Sequence, residues 1–349
     1  MATRGFSAGP AQPLRPATGR LIALAASVLL LGAIVGSAPG CAADDSVPDS
    51  VLAAVVRLQA TVPSDARSAT YLGTERDGSG VVIDGEGLVL TAGYLIVEAE
   101  SISLTLSDGR KVAANPIAYD NDTGFGLVRA TEPLKVKPIE LGDSTPLRVR
   151  DRALVASSGG SVMALPALVV SRRSFAGYWE YLLENAIFTV PAHPAFSGAA
   201  LISPDGKLVG IGSLAVPNAV GGDAAISGNM FIPINRLKPI LADLLEKGRG
   251  AGPKHPWLGI NSQAVLGRLF VARVTAGGPA ATAGIKEGDL VLGIGGKPVT
   301  DLEGFYRRLW ASGEAGATVP LDVLQGVKVN RIDVKSVDRY DFLKLGRSY

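Results

Sequence analysis

The sequence predicts a mainly β protein in which two small β-barrels precede a smaller α+β domain. Its length of 349 residues leaves room for two or three domains, because one hydrophobic core usually serves about 100 to 200 residues. Short β-type runs separated by Gly, Asp, Asn and Pro turns fill residues 51–234, which is typical of barrels or sandwiches. Residues 256–340 instead alternate strand and turn patterns around two helical segments, as expected of a small α+β domain.

The first 43 residues have the composition of an export segment. They carry three basic side chains and no acidic one, and they include an uncharged apolar stretch at 21–35 that matches a signal peptide and is shorter than a typical membrane span. Cys41 follows in a segment of small residues, although Ala38 and Pro39 depart from the usual lipobox. A lipid anchor on Cys41, ordinary cleavage and an uncleaved anchor remain open, and each of them exports the chain. Any membrane contact is expected only through this segment.

Eight apolar runs justify the two predicted barrels. Each run is short and is bounded by turn residues, and together they span enough chain for two small barrels packed side by side. The runs are GVVI (80–83), LVLT (88–91), SISLTL (101–106), GLVRA (126–130), ALVASS (153–158), AIFTV (186–190), LVGIG (208–212) and MFIPI (230–234).

Residues 235–248 predict an amphipathic helix that closes the barrel region. The segment that follows, residues 248–255, breaks all periodicity and predicts a flexible linker. The predicted folded domains are therefore residues 50–247 and residues 256–340. The apolar face of the predicted helix consists of Leu237, Ile240, Leu241, Leu244 and Leu245.

Charge and composition exclude several classes of partner. Lys plus Arg number 34 against 32 Asp plus Glu, and no basic run is present, so we expect no nucleic-acid partner. No His, Cys or carboxylate cluster has the spacing of metal ligands, and the glycines have no phosphate-binding context. We therefore predict no metal and no cofactor. Cys41 is the only cysteine, so the exported domains form without an intrachain disulfide.

Several segments, taken in chain order, resemble the HtrA/Deg-type trypsin-like serine proteases, and the C-terminal part resembles the PDZ domain that follows in that family. The resemblance implies a trypsin-like double six-stranded β-barrel, residues 50–247, followed by a PDZ domain, residues 256–340, in a bacterial periplasm or cell envelope. The segments are GSGVVIDGEGLVLT (78–91), LTLSDGRKVAANPIAYDNDTGFGLVRA (104–130), LGDSTPLRVRD (141–151), HPAFSGAALISPDGKLVGIG (193–212), FIPIN (231–235), WLGI (257–260) and VTAGGPAATAGIKEGDLVLGIGGKPVTDLEGF (274–305).

The resemblance also implies where a catalytic triad would stand. Ser197 matches the nucleophile, Tyr94 occupies the histidine position in TAGYLIV, and Gly124 occupies the aspartate position in DNDTGFGLV. A serine hydroxyl is a weak nucleophile until a base takes its proton, and the base needs an orienting carboxylate. A phenol with a pKa of about 10 stays protonated at neutral pH, so we expect Tyr94 to be a poor base. The alternative role of Ser197 is that of a small residue suited to a tight turn.

The remaining groups around Ser197 also depart from the family pattern. The backbone N–H of Ala195, where the family has glycine, would help form the oxyanion hole. The chain contains two histidines, His193 and His255, and neither lies in the first predicted barrel. His193, four residues before Ser197, is the alternative base or else a polar loop residue, and His255 is a linker residue.

The predicted PDZ domain keeps the elements that peptide binding needs. By resemblance, the loop of Trp257, Leu258, Gly259 and Ile260 presents backbone N–H groups to the C-terminal carboxylate of a peptide, which then adds as a strand beside a helix. Phe305 and Leu309 on that helix would form apolar pocket walls for a peptide with an apolar last residue. Ordinary core packing is the alternative for both side chains.

We therefore expect an HtrA-like pseudoprotease that acts as a peptide-binding adaptor, as a chaperone-like holder of unfolded clients, or as a regulator of an active relative. The alternatives are an active serine endopeptidase with a rebuilt arrangement around Ser197, and a purely structural envelope scaffold. Family members commonly form trimers, so the resemblance leaves open a homo-oligomer or a hetero-oligomer with an active relative.

Overall fold

A computed structural model of the protein describes residues 47–222 and 225–345. The predicted export segment with Cys41 lies outside the described residues. Within the part of the chain that the structure describes, no helix is both long enough and apolar enough to cross a bilayer.

The first domain is a closed six-stranded barrel with the neighbour order β1-β2-β3-β6-β5-β4. Burial alternates along β4, where Ile102 and Leu104 point into the core between less buried neighbours, as expected of a strand with one buried face. The elements are α1 (Asp49–Leu52), β1 (Val55–Thr61), α2 (Ala69–Leu72), β2 (Glu75–Val82), β3 (Leu88–Ala92), a 3₁₀ turn (Gly93–Leu95), β4 (Ser101–Thr105), β5 (Lys111–Tyr119) and β6 (Phe125–Ala130).

The second domain is another closed six-stranded barrel, with the order β10-β11-β12-β9-β8-β7. Its longest pair, β8 and β9, forms a hairpin whose tip packs against the third domain. The elements are β7 (Arg152–Ala156), a 3₁₀ turn (Gly160–Met163), β8 (Ala164–Gly177), β9 (Tyr181–Val190), β10 (Ala200–Ile202), β11 (Leu208–Val216), β12 (Gly228–Pro233), a 3₁₀ turn (Ile234–Arg236) and α3 (Leu241–Lys247).

The third domain is an antiparallel sheet with the order β13-β14-β15-β17-β18, to which β16 adds beside β15. Helix α5 begins after Asp301, whose carboxylate accepts the N–H of Gly304 at 2.7 Å and so satisfies a free donor of the first turn. The elements are β13 (Ile260–Val265), β14 (Arg268–Val274), α4 (Pro279–Thr282), β15 (Leu290–Ile294), β16 (Lys297–Pro298), α5 (Leu302–Ala311), β17 (Thr318–Gln325), β18 (Lys328–Lys335) and α6 (Arg339–Phe342).

The predicted fold class, a trypsin-like double barrel followed by a PDZ domain, is confirmed. Each predicted apolar run lies wholly or mostly within a strand, whereas β1, β5, β8 and β10 were not predicted. The predicted helix at 235–248 forms only from Leu241 to Lys247, after a short 3₁₀ turn. Pro239 explains the difference, because a proline lacks the N–H of a helix interior and disfavours a helical conformation in the residue before it.

Candidate functional site

The turn that carries Ser197 is held between the two barrels. The Ser197 carbonyl accepts the N–H of Ser79 in β2 at 2.8 Å, and the Gly198 N–H donates to the carbonyl of Gly212 in β11 at 2.8 Å. Gly198 has a φ of +72°, and a Cβ at this position would lie 1.9 Å from the Ser79 carbonyl oxygen. Only glycine fits this conformation and this space, so the fold itself requires glycine at position 198.

Tyr94 lies beside Ser197, on the 3₁₀ turn that follows β3. Its hydroxyl donates to the carbonyl of Ser213 at 2.8 Å, and Tyr94 and Ser197 line the same cavity. Burial raises the pKa of Tyr94 to about 12, although the contact with Ser197 acts in the opposite direction. The group at the base position is thus a neutral phenol whose proton is directed at a backbone oxygen, and it is a poor acceptor for the proton of Ser197.

Gly124 brings no carboxylate to the position next to Tyr94. Its φ is +85°, and a Cβ there would lie 3.0 Å from the hydroxyl oxygen of Tyr181. That hydroxyl donates to the carbonyl of Thr123 at 2.6 Å, so a tyrosine from the second barrel fills this space.

The two aspartates before Gly124 are engaged elsewhere. The Asp120 carboxylate closes its own turn by accepting the N–H of Thr123 at 2.9 Å and the hydroxyl of Thr123 at 2.6 Å. The Asp122 carboxylate faces the Nε2 atom of His255 at 3.9 Å. His255 itself stacks on Trp310 of α5 with ring centroids 4.4 Å apart. Neither aspartate is hydrogen-bonded to Tyr94 in the described structure.

The amide assigned to the oxyanion hole is also occupied. The Ala195 N–H donates to Nδ1 of His193 at 3.1 Å, while Nε2 of His193 lies 3.1 Å from the Met163 carbonyl. This pattern places the imidazole proton on Nε2, because Nδ1 accepts. His193 is 2% exposed, and both of its ring nitrogens face backbone groups other than Ser197. An oxyanion hole needs an N–H aimed at the substrate, and in this conformation Ala195 does not supply one.

A largely apolar cavity of about 320 Å³ lies next to Ser197 and Tyr94. Phe196 lines it from the serine turn, and Trp257 and Asn261 line it from the third domain. The cavity therefore joins the cleft between the barrels to the predicted peptide groove.

The predicted carboxylate-binding loop of the third domain holds a carboxylate from the second barrel. The N–H of Leu258 donates to Oε2 of Glu180 at 2.9 Å, and the N–H of Ile260 donates to Oε1 of Glu180 at 2.7 Å. Gly259 between them has a φ of +77°, a conformation that glycine adopts without strain. The N–H of Trp257 instead pairs with the Val337 carbonyl at 3.0 Å.

Sequence reasoning missed Glu180, which lies in the three-residue turn between β8 and β9. Burial raises the pKa of Glu180 to about 7, against the lowering effects of the N–H groups of Leu258 and Ile260 and of the nearby Arg339. The turn sequence Tyr-Trp-Glu contained a signal. Three-residue hairpin turns favour glycine at their last position, and this turn has Glu180 there.

Phe305 and Leu309 do not line an open pocket. Each is 0% exposed, and each belongs to the buried cluster that also contains Leu258 and Ile260. Leu182 of the β8–β9 hairpin is part of the same cluster. The two helix residues thus pack in the core, beneath a hairpin that covers this side of the domain.

No metal site is evident in residues 47–222 and 225–345, where no group of three or more His, Cys, Asp or Glu side chains could hold an ion.

The structure has two six-stranded barrels that hold a serine turn between them, followed by a sheet domain with a carboxylate-binding loop. This arrangement defines a trypsin-like protease fold joined to a PDZ domain. Family models for a trypsin-like peptidase domain and a PDZ domain match residues 78–211 and 256–336, respectively. Together with the relatives described next, these matches show that the chain belongs to the HtrA family.

Among its relatives is the periplasmic pH-dependent serine endoprotease DegQ of Escherichia coli, 31% identical over 272 residues, which are 74% of this chain and 58% of DegQ. The serine protease PepD of Mycobacterium tuberculosis is 29% identical over 313 residues, which are 82% of this chain and 65% of PepD. This chain thus spans little more than half of DegQ. A solved structure of the HtrA-type protease AlgWS227A with a tripeptide shares the fold, with a TM-score of 0.51 at 22% identity over 84% of this chain and 97% of that one.

Proposed function

We propose that this chain is an HtrA-like pseudoprotease that binds peptides or unfolded proteins through its PDZ domain and does not hydrolyse them. The observation that carries the proposal is the hydrogen bond from the Tyr94 hydroxyl to the Ser213 carbonyl at 2.8 Å. It leaves Ser197 next to a neutral phenol where catalysis needs a base. Depending on its clients, such a protein serves as an adaptor, as a chaperone-like holder, or as a regulator of an active relative.

Three departures from a working site act together. Tyr94 replaces the base, Gly124 replaces the orienting carboxylate, and the Ala195 N–H is donated to His193. Losing triad members costs on the order of 10⁴ to 10⁶ in turnover, and the residual rate comes from the oxyanion hole and from substrate binding. With the hole amide engaged as well, even that residual rate is reduced.

The second candidate function is serine endopeptidase activity. It is favoured by the names of the relatives, which are serine endoproteases, and by the retention of Ser197 beside a cavity that could admit a peptide. Activity of this kind would require the loop of His193 to rearrange, so that the Ala195 N–H becomes free and a base reaches Ser197.

The same family membership supports the proposed location and partners. DegQ is a periplasmic protein, and we propose an exported location in the periplasm or cell envelope, with Cys41 as the lipid-anchored residue if an anchor is retained. The partners are protein C termini and unfolded clients, and a homo-oligomer or an assembly with an active relative is consistent with the family.

A fluorophosphonate probe distinguishes the two functions, because it labels only an activated serine. The full chain and its Ser197→Ala variant are incubated with the probe, and DegQ serves as the active control. We expect equal background labelling of both forms of this protein. Labelling that is specific to Ser197 and lost in Ser197→Ala would establish the endopeptidase instead.

A further inference from the structure

The β8–β9 hairpin occupies the peptide-binding side of the PDZ domain in the way a bound peptide would. Peptides bind PDZ domains through a terminal carboxylate held by backbone N–H groups and through strand addition at the sheet edge. Here the Glu180 carboxylate accepts the Leu258 and Ile260 N–H groups. The Tyr178 carbonyl accepts the N–H of Ser262, in the edge strand β13, at 3.0 Å.

Further contacts from the PDZ domain hold the hairpin backbone. The Tyr306 hydroxyl in α5 donates to the Gly177 carbonyl at 2.6 Å and accepts the Glu180 N–H at 3.2 Å. Arg339 donates to the Trp179 carbonyl at 3.3 Å. Three backbone groups of the turn, the carbonyls of Tyr178 and Trp179 and the N–H of Glu180, are thus bonded to the third domain, as is usual for a specifically bound segment.

The apolar contacts of the hairpin also resemble those of a bound peptide. Leu182 lies two residues after Glu180 and is buried in the cluster formed by Phe305, Leu309 and Ile260. A peptide C terminus with an apolar last residue would be recognised by the same two features. They are a carboxylate held by the loop and a neighbouring aliphatic side chain packed among the residues of α5.

The backbone of Glu180 is strained in a way that points to this role. Its φ is +59°, in the left-handed region that is unfavourable for a residue with a Cβ. Register pairing of Gly177 with Tyr181 leaves Glu180 as the last residue of a three-residue turn, where glycine would be free of strain. Such strain persists where the surroundings enforce it, and it clusters at ligand clamps and switch regions.

We infer that the β8–β9 hairpin is a resident internal ligand of its own PDZ groove, with the Glu180 carboxylate in the place of a peptide C terminus, and that a client with a free carboxylate and an apolar last residue binds only by displacing it. This inference rests on the proposed peptide-binding function and names its regulation. The apparent affinity for a client is then lowered by the small fraction of molecules whose groove is open.

The test compares the full chain with Glu180→Ala. The probes are fluorescein-labelled decapeptides of one polar sequence that end in a free Val, Leu or Phe, and the same peptides with an amidated C terminus. Removing the internal carboxylate should tighten binding of the free-carboxylate peptides at least tenfold by fluorescence anisotropy and leave the amidated peptides unchanged. A folded Glu180→Ala protein that binds the free-carboxylate peptides no better than the parent overturns the inference.

Asp289→Ala is the matched control, because it removes the whole acceptor group as Glu180→Ala does. The Asp289 carboxylate is also buried in the PDZ domain and also accepts a backbone N–H, that of Lys286 at 2.8 Å, but its hydrogen bonds involve no residue of the hairpin. This variant loses a comparable contact, and we expect its peptide affinity to stay within twofold of the parent. A gain in affinity equal to that of Glu180→Ala would mean that general loosening of the domain is responsible, which contradicts the inference.

Hydrogen exchange separates the internal ligand from the proposed function. The Leu258 and Ile260 amides should exchange at least tenfold faster in Glu180→Ala than in the parent and in Asp289→Ala. If they do so while no peptide binds to any form, the internal ligand is supported and the peptide-binding function fails. Unchanged exchange at both amides overturns the internal ligand whatever the peptides do.

Discussion

The hydroxyl of Tyr94 donates to the carbonyl oxygen of Ser213 at 2.8 Å. This bond links the turn after β3 in the first barrel to β11 in the second, directly beside Ser197. In an active trypsin-like enzyme a proton acceptor would stand here. In this chain a donor stands here, and its partner is a structural carbonyl.

Tyr94→Phe tests whether this bond is structural. The variant keeps the ring and removes the donor to Ser213, so the free energy of unfolding should fall by about 1 kcal/mol, the net value of one hydrogen bond. Urea unfolding measures the change. Fluorophosphonate labelling of Ser197 should stay at background, and a loss of pre-existing labelling would indicate that the phenol takes part in chemistry.

Tyr94→His tests whether a base alone restores catalysis. An imidazole at this position still lacks an orienting carboxylate, because Gly124 supplies none, and the Ala195 N–H is still donated to His193. We expect cleavage of a fluorogenic peptide no faster than by Ser197→Ala. Turnover more than tenfold above that level would show that the oxyanion hole assembles on substrate binding.

Gly198→Ala tests why the serine turn persists without chemistry. A Cβ at Gly198 would lie 1.9 Å from the Ser79 carbonyl oxygen, and the residue would also keep an unfavourable φ of +72°. Left-handed backbone alone costs a residue with a Cβ about 1 to 2 kcal/mol. We expect the loss of stability in this variant to be well above that cost.

Gly109→Ala is its control, because Gly109 has a φ of +84° and, apart from its two chain neighbours, no residue lies within 4 Å of the position that a Cβ would occupy there. Urea unfolding of both variants isolates the steric contribution. Equal losses in the two variants would mean that the fold does not require glycine at position 198 for space.

The pH dependence of stability should report on Glu180. Its folded pKa of about 7 lies above the ordinary value of 4.5 because burial disfavours the charged form, while Arg339 and the N–H groups of the loop oppose the rise. A raised folded pKa means that the folded state binds the extra proton. The contribution of Glu180 to the free energy of unfolding is therefore complete below pH 4.5 and is lost as the pH rises through about 7. The total loss is about 3 kcal/mol at most.

Glu180→Gln checks the assignment, because Asp122 also has a pKa that burial raises to about 7 and contributes in the same direction. Urea unfolding of both proteins at about pH 5 and about pH 8, on either side of the folded pKa, is the measurement. The parent should lose more stability across this interval than Glu180→Gln does. Equal losses would assign the effect to Asp122 or to other groups and not to Glu180.

Local sequence patterns predicted much of the fold and of the candidate site. Apolar runs with turn residues at their ends, such as 88–91 and 208–212, lie within strands because burial of one strand face depends on neighbouring residues in the chain. Strand β8 was not predicted because its middle carries Arg172 and Arg173, whose guanidinium groups donate to backbone carbonyls of other loops. Such contacts between distant segments leave no periodic pattern.

The sequence by itself determined which residues stand beside Ser197, because Tyr94 and Gly124 can be read directly at the positions where the family has histidine and aspartate. Only the tertiary structure decided what those groups contact. The insertion of Glu180 into the loop of Leu258 and Ile260 depends on how the domains approach one another. The bond from the Ala195 N–H to the nearby His193 depends on a ring orientation that the distant Met163 carbonyl helps to fix. A hydrogen bond needs its partner within about 3 Å in the right direction, and for residues 78 or 80 positions apart that geometry exists only once the chain has folded.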